Sequence, residues 1–402
     1  MNQDSKLVDN SGRRRWVILG VVYACILAHT ITLQIVPPNL SLILKELGLT
    51  YAQGGLLMSF FALPGIAIAI PAGMLIDRYG QKTIGAISLL LMIIGSAIFA
   101  LGDSFGWLAF GRIIAGIGGM TIYVLGPQLI VQWFAGRRQV GTALGIFNTI
   151  FPVGIILSMN VFSRLGESLG WRNSVWLSVG WSVISLIVFL ALYAPAPRIN
   201  RPARPAENPF KSLRHTGAPI WLVGVAWMLF NSGLAGVLTF TPDLLRSQGF
   251  TASWAGFITS LIMCPALVIN PLIGYTTDRV DHKRVFIALG GLAWAALVIW
   301  IPIAGDWVLP LVVVLGTLQT GMPAPTFALA AEVIGLEKTG LGYGIISTFL
   351  NVGLLAGPAL VGFVRDLSTT YRPSYFFMAF FTFMVAVDML ILSRIYKRKP
   401  IL

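Results

Sequence analysis

The chain contains an internal repeat, which restricts the fold more than any other feature of the sequence. Residues 48–82 align without a gap to residues 249–283, at a constant offset of 201 and with ten identities in 35 positions. In both copies an apolar run ends in Gly-x-x-x-Asp-Arg, and a basic residue follows. The chain therefore contains two copies of one membrane unit, an arrangement typical of secondary transporters.

Composition and periodicity predict an all-α membrane protein. Hydrophobic residues make up 56% of the chain and charged residues 11%, whereas roughly 25% of a soluble protein is charged. A helical span needs about 20 apolar residues. The sequence offers twelve such segments, near 16–44, 52–76, 83–101, 106–134, 140–163, 171–194, 219–245, 254–277, 284–304, 308–333, 340–364 and 374–396. These segments leave no room for a soluble catalytic domain, so we do not expect an enzyme.

The distribution of positive charge predicts the orientation in the membrane. A net charge of +13 in a soluble protein would suggest a nucleic-acid partner. Here 21 of the 28 Lys and Arg residues lie in the two termini and in the loops on the same side as the termini. Six lie in the opposite loops, and Arg112 lies inside a span. The positive-inside rule then predicts a multi-pass protein of the cytoplasmic membrane with both termini in the cytoplasm, and no nucleic-acid partner.

The residues that usually carry catalysis or bind metals are isolated. Cys25 and Cys264 lie alone in separate spans, and the three histidines are equally scattered. Neither disulfide nor metal-ligand spacing is present. We therefore expect no catalytic residue, no bound metal and no cofactor.

The sequence divides into two halves joined by a Pro-rich, basic segment. We place the first half at 1–194, a cytoplasmic linker at 195–218 and the second half at 219–402. Gly141-x-x-x-Gly145 after the fourth span is repeated as Gly340-x-x-x-Gly344 after the tenth, at an offset of 199. Because both copies have the same polarity, the halves are parallel repeats related by an axis along the membrane normal.

The sequence between the second and third spans carries a family resemblance. With twelve spans arranged as six plus six, the motif Gly73-x-Leu75-x-Asp77-Arg78-x-Gly80-x-Lys82 resembles that of the major facilitator superfamily. A second similar pattern is Arg112-x-x-x-Gly116-x-Gly118 in the fourth span. The resemblance covers the whole chain. It implies two pseudo-symmetric six-helix bundles around a central cavity, which move a small molecule across the lipid bilayer by alternating access; we expect a monomer.

The resemblance also implies a conformational gate at the repeated loops. In the family this turn holds the halves together in one state and releases them in the other. The second copy departs from the pattern, with Val280-Asp281-His282 where the first has Tyr79-Gly80-Gln81. The alternative is that these charges only fix the topology. The gate candidates are Gly73, Asp77, Arg78, Lys82, Gly274, Asp278, Arg279 and Lys283.

Arg112 is the sequence-based candidate for contact with an anion. Charge is costly inside a bilayer, so such a residue generally faces a cavity or a partner. Tyr123 lies eleven residues later, only about 20° round the helix, and Gly116 and Gly119 share its stripe. Small residues there would leave room beside the guanidinium, whose planar shape suits a carboxylate, nitrate or phosphate. Alternatively, Arg112 extends outward to the interface or braces helix packing.

Polar residues of four spans are candidates for the substrate pocket. In family members the first, fourth, seventh and tenth spans line the cavity. Each polar residue could instead link helices by hydrogen bonds. Beyond Arg112 and Tyr123, the candidates are Tyr23, His29, Thr30, Gln34, Trp227, Asn231, Gln319 and Thr326.

Two groups are candidates for proton binding. His29 could titrate or only donate and accept hydrogen bonds. Asp388 lies inside the twelfth span and could bind a proton or stabilise the bundle.

The sequence favours an anionic substrate. The first span lacks the acid that drug–proton antiporters of the family often carry there, and Arg112 would repel cationic drugs. We therefore expect transport of a small organic or inorganic anion, by proton symport or by exchange for another anion. Proton-coupled efflux of drugs or metabolites is the alternative, and a non-transporting receptor is a third possibility.

Overall fold

All the regular secondary structure in the part of the chain that the structure describes is helical. The computed structural model describes residues 3–134, 139–195, 216–269, 282–335 and 339–396, with side chains omitted at 3–12, 69, 70, 77, 339 and 340. Twelve helical segments there are long and apolar enough to cross a membrane, which confirms the predicted fold class. Spans 1 to 12 are Arg13–Leu47, Tyr51–Ile68, Gln81–Leu101, Phe105–Phe134, Val140–Leu169, Trp171–Leu192, Ala218–Ser247, Ala252–Ile269, Lys283–Ile303, Gly305–Ile334, Leu341–Asp366 and Arg372–Ile395.

The spans form two bundles that meet along spans 2 and 11. Span 4 packs against spans 1, 2 and 3, whereas span 7 packs against spans 11 and 12. A fully buried tryptophan contributes to each core. The ring centres of Trp171 and Phe99 lie 5.7 Å apart, and those of Trp294 and Phe230 lie 5.8 Å apart. Most of the predicted linker lies outside the described residues, so the proposed boundaries remain a prediction.

Several spans are interrupted, although hydropathy predicts each of them as one segment. Pro37 and Pro323 follow the breaks in spans 1 and 10, and neither has an N–H group to continue the helix. A hydropathy scale measures side chains and does not include the missing backbone N–H of proline. The break therefore cannot be predicted from the apolar run alone. Span 1 consists of helices Gln3–Leu33 and Val36–Leu47, and span 10 of Val308–Thr320 and Pro323–Ile334; span 5 contains a π-helical turn at Ser158–Phe162, and span 8 a turn at 261–263.

Two pairs of repeat identities have a local structural cause. Gly48 and Gly249 follow spans 1 and 7 with φ of +63° and +94°, a region that favours glycine. Thr50 and Thr251 then cap spans 2 and 8, because each hydroxyl accepts a hydrogen bond from the backbone N–H three residues later. The repeat therefore encodes the same turn and helix start in each half.

A third identity brings the two bundles together at one end of the molecule. We call this the outer end; it lies opposite the start of span 1 and the end of span 12, and span 2 begins there at Tyr51. A Cβ added to Gly55 would lie 2.1 Å from the backbone oxygen of Pro358 in the other bundle. A Cβ added to Gly256 would lie 2.1 Å from the backbone oxygen of Met159, again across the bundles. The repeat thus supplies one glycine contact at each of two interfaces.

Candidate functional site

The Arg112 guanidinium is bound by backbone carbonyl groups inside the first bundle. Its Nε donates to the oxygen of Leu57 at 2.7 Å, Nη1 to Thr32 at 2.6 Å and Nη2 to Leu33 at 3.0 Å. The residue is only 1% exposed. Arg112 therefore links span 4 to spans 1 and 2, which supports the bracing alternative.

The break in span 1 explains why one of these acceptors, the Leu33 oxygen, is available. In an uninterrupted helix the oxygens of Leu33 and Gln34 would accept from the N–H groups of residues 37 and 38, but both residues are proline. Arg112 donates to Leu33, and the Ser158 hydroxyl donates to the Gln34 oxygen at 2.7 Å. Two side chains from other spans thus replace the missing donors.

The glycines beside Arg112 accommodate neighbouring helices. The Arg112 Cζ lies 4.7 Å from the centre of the Phe61 ring. A Cβ at Gly116 would lie 2.3 Å from the Phe61 oxygen, and one at Gly119 would lie 2.8 Å from His29 Nδ1. The interpretation that these glycines leave room beside the guanidinium is therefore wrong, because spans 1 and 2 fill that room.

Tyr123 lies apart from Arg112, although both share a stripe of span 4. Eleven residues of helix correspond to about 16 Å along the axis. The angle between two residues around the helix does not include this separation along it. Tyr123 is 38% exposed. Its ring lies 5.2 Å from that of His29 and 6.4 Å from that of Phe147.

The other candidates of span 1 lie in the same bundle. His29 is buried, 5.4 Å from Phe61 on its other side. The Tyr23 hydroxyl lies 3.3 Å from that of Thr149. Thr30 donates to the Ile26 oxygen, and the buried Gln34 lies at the break in span 1.

The candidates of spans 7 and 10 combine paired and unpaired polar atoms. Asn231 donates to the Trp227 oxygen, and Thr326 donates to the Met322 oxygen. Two buried atoms, Trp227 Nε1 and Gln319 Oε1, have no hydrogen-bond partner among the described residues. The Trp227 ring lies 5.7 Å from that of Phe327, which connects the two spans.

The predicted gate is only partly described. Gly73 lies within the helix Tyr51–Tyr79, and Arg78 and Lys82 are exposed. Lys283 forms an ion pair with Glu332 at 3.4 Å. The side chain of Asp77 and the whole of Gly274, Asp278 and Arg279 lie outside the described part, so the gate stays a prediction.

Two buried acids lie away from these candidates. Asp388, in span 12, is 5% exposed, and its Oδ2 has no partner among the described residues. Asp243, near the outer end of span 7, accepts a hydrogen bond from the Tyr371 hydroxyl. No sequence motif marks Asp243, because its role depends on a tyrosine 128 residues later in the chain.

Two contacts between the bundles are likewise missing from the sequence-based candidates. Asn160 Nδ2 donates to Ser260 Oγ at 3.0 Å, joining spans 5 and 8. A Cβ at Gly65 would lie 2.6 Å from Asn351 Oδ1, where spans 2 and 11 meet. Ser260 belongs to the repeat, so the repeat offers a signal for this interface.

Comparisons with known proteins identify the family. The family model described as Major Facilitator Superfamily matches residues 22–262 and 234–401. The lysosomal dipeptide transporter MFSD1 of Bos taurus is 22% identical, over 85% of this chain and 76% of that protein. The probable galactarate/D-glucarate transporter GudP of Bacillus subtilis (strain 168) is 24% identical over 94% and 92%. The quinolone resistance protein NorA of Staphylococcus aureus (strain MSSA476) is 24% identical over 86% and 89%.

A solved structure has the same fold. It is a bacterial homolog of the human lysosomal transporter Spinster in an inward-facing, unoccupied conformation. It superimposes with a TM-score of 0.80 at 15% identity, covering 96% of this chain and 99% of that one. The chain therefore belongs to the Major Facilitator Superfamily.

Proposed function

We propose that this protein is a secondary active transporter of a small organic solute that carries an aromatic or otherwise apolar body. It works by alternating access across the cytoplasmic membrane, with both termini in the cytoplasm. The supporting observation is the chemistry of the candidate pocket: apart from Arg112, every predicted substrate-binding side chain is uncharged or a histidine.

The contacts of Arg112 support an uncharged binding surface. With three bonds to carbonyl oxygens and 1% exposure, the cation is engaged within a helix junction. Aromatic rings then provide the larger surfaces, with the His29–Tyr123 pair in the first bundle and the Trp227–Phe327 pair in the second. Such rings bind flat apolar groups by stacking, and a few polar atoms orient the solute.

The outer contacts support a state that is open toward the chain termini. Gly55 and Gly256 each approach a backbone carbonyl of the opposite bundle, and Asn160 bonds to Ser260 between spans 5 and 8. Alternating access requires contacts of this kind to form in one state and separate in the other.

We propose protons as the coupling ion, with Asp388 and His29 as the candidate carriers. An ionised carboxylate without a partner is costly at membrane depth, so a group like Asp388 is by default a functional candidate. His29 contacts the exposed Tyr123, through which a solute could influence it.

Transport of an anion is the second candidate. Among the described residues Arg112 forms no ion pair with an acid, and its charge contacts carbonyl dipoles and the Phe61 ring instead. The relative named as a probable galactarate/D-glucarate transporter is consistent with this alternative, because both of those sugar acids are dicarboxylates.

Uptake into proteoliposomes tests the substrate class. A quinolone, a dipeptide, galactarate and nitrate would each be supplied with and without an imposed pH gradient. We expect saturable transport of the aromatic compound, accelerated by the gradient. Galactarate or nitrate as the sole substrate would replace the proposal with the anion alternative, and absence of transport for the whole panel would count against it.

Trp227→Phe tests the pocket by removing a single hydrogen-bond donor, the indole N–H. Because Trp227 Nε1 has no partner among the described residues, removing it should leave folding intact. In our proposal that N–H donates a hydrogen bond to the solute, and the phenylalanine variant loses this bond. Because one hydrogen bond contributes about 1 kcal/mol, we expect binding of an aromatic solute to weaken about five- to tenfold. Binding of the quinolone to each purified variant gives this ratio.

The matched control for this variant is Trp294→Phe. Trp294 is also buried with an unpartnered Nε1 among the described residues, but it lies in span 9. We expect wild-type binding for the control. Equal binding by the two variants would exclude Trp227 Nε1 as a contact.

A further inference from the structure

The carboxylate of Asp366 joins the two bundles at the outer end. Asp366 is the last residue of span 11, and Tyr51 is the first residue of span 2. The Tyr51 N–H donates to Asp366 Oδ1 at 2.8 Å, and the Ala52 N–H donates to Oδ2 at 2.7 Å. Each carboxylate oxygen therefore binds one of the first two backbone donors of span 2.

These two bonds complete the start of span 2. The first four N–H groups of a helix have no carbonyl acceptor inside the helix. They bond instead to the residue just before the helix or to groups from elsewhere. The Gln53 N–H donates to Thr50 Oγ1 at 3.2 Å, and the Gly54 N–H donates to the Thr50 oxygen at 3.0 Å. Only the donors of Tyr51 and Ala52 remain, and Asp366 accepts both.

The position of Asp366 in its own helix favours this role. A negative charge at a helix C-terminus is opposed by the helix dipole, whereas the N-terminus of a helix attracts it. Asp366 ends span 11 and lies against the N-terminus of span 2. Its charge is therefore stabilised by the opposite bundle while the two remain in contact.

The neighbouring arginine is held elsewhere. The Arg365 Cζ lies 4.6 Å from the Tyr51 ring and 4.5 Å from the Tyr371 ring, and Nη1 donates to the Ser368 oxygen at 2.6 Å. Tyr371 in turn donates to Asp243 of span 7. Tyr51 thus packs against side chains of the second bundle, and the Asp366 carboxylate binds the N–H groups of span 2.

We propose that Asp366 is a latch that stabilises the outer-closed state by capping span 2 from the opposite bundle. The proposal rests on the alternating-access function proposed above. When the outer ends separate, both charge-assisted bonds break and the carboxylate remains at the unfavourable end of its own helix. The latch therefore changes the ratio of the two states, because it interacts with only one of them.

The internal repeat provides a control for this carboxylate. At the offset of 199 that relates spans 5 and 11, the counterpart of Asp366 is Glu167. Glu167 is exposed, and among the described residues it makes no hydrogen bond to the start of span 8. The latch is thus a feature of one interface, and Glu167→Gln removes an equivalent charge without removing a cap.

Distance measurements between spin labels test the latch without any substrate. Labels at Asp103→Cys and Asp306→Cys, both exposed at the outer ends of opposite bundles, would report outer opening after Cys25 and Cys264 are replaced by alanine. We expect Asp366→Asn to increase the ratio of the long to the short distance about tenfold or more, because charge-assisted bonds to one state are lost. Asp366→Ala should do the same, and Glu167→Gln should match the parent protein.

The outcomes separate the latch from the transport proposal. Distance distributions of Asp366→Asn and Asp366→Ala that match the parent would overturn the latch, even if the protein transports. A shift toward the long distance in these variants would support the latch even if the substrate panel shows no uptake. Elution of each variant as the parent does in size-exclusion chromatography confirms that the variants are folded.

Discussion

Gly55→Ala should reduce the initial rate of transport about tenfold or more and shift the protein toward the outer-open state, because overpacked contacts cannot close. The added Cβ would lie 2.1 Å from the Pro358 oxygen, well inside van der Waals contact. The obstacle is backbone within a helix, which cannot rotate away as a side chain can. The outer ends therefore cannot close to the distance seen here, and transport needs that closure in every cycle.

The matched control is Gly180→Ala. Gly180 lies in span 6, and nothing is within 4 Å of the position its Cβ would occupy. Uptake rates and outer distances should equal those of the parent protein. If Gly55→Ala also transports at the parent rate, tight closure at Gly55 is not part of the cycle.

Arg112→Lys should destabilise the folded protein whether or not substrate is present. A lysine ammonium donates from one nitrogen and cannot replace Nε, Nη1 and Nη2 at carbonyls of two different spans. Each buried acceptor that the change leaves unpaired costs about 1–3 kcal/mol. Thermal stability in detergent, followed by size-exclusion chromatography, should fall clearly below that of the parent.

Arg164→Lys is the control for this change, because Arg164 is exposed at the outer end of span 5. Its stability should equal that of the parent. The anion alternative predicts a different pattern for Arg112→Lys, with parent-like stability and binding of galactarate weakened about tenfold or more through loss of the guanidinium fork. That pattern would contradict the bracing role and support Arg112 as an anion contact.

The fold can be predicted well from the sequence because its signals are local and repeated. Twelve apolar runs are enough to identify the spans, and the repeat relates the two halves. Gly48 and Thr50 act on their own turns, so their copies at Gly249 and Thr251 have the same effect. Such features depend on neighbouring residues in the chain rather than on tertiary contacts.

The candidate site is harder to predict because it depends on contacts between spans. The sequence shows Arg112 inside a span, but one of its acceptors, the Leu33 oxygen, is free because Pro37 and Pro38 interrupt another span. A signal was present, since two prolines in an apolar run predict freed carbonyl groups. Asp366 carries no comparable signal, because its partner Tyr51 lies 315 residues away in the chain.

Paired distance measurements at both ends of the molecule test alternating access most directly. One pair is Asp103→Cys with Asp306→Cys at the outer end, and the other is Gln139→Cys with Gly217→Cys at the opposite end; all four positions are exposed. We predict two states in lipid, a short outer distance occurring with a long inner one and the reverse. Conditions that increase the fraction of molecules with a long outer distance should decrease the fraction with a long inner distance. A single distance at each end under all conditions, in protein that transports solute, would contradict alternating access between the two bundles.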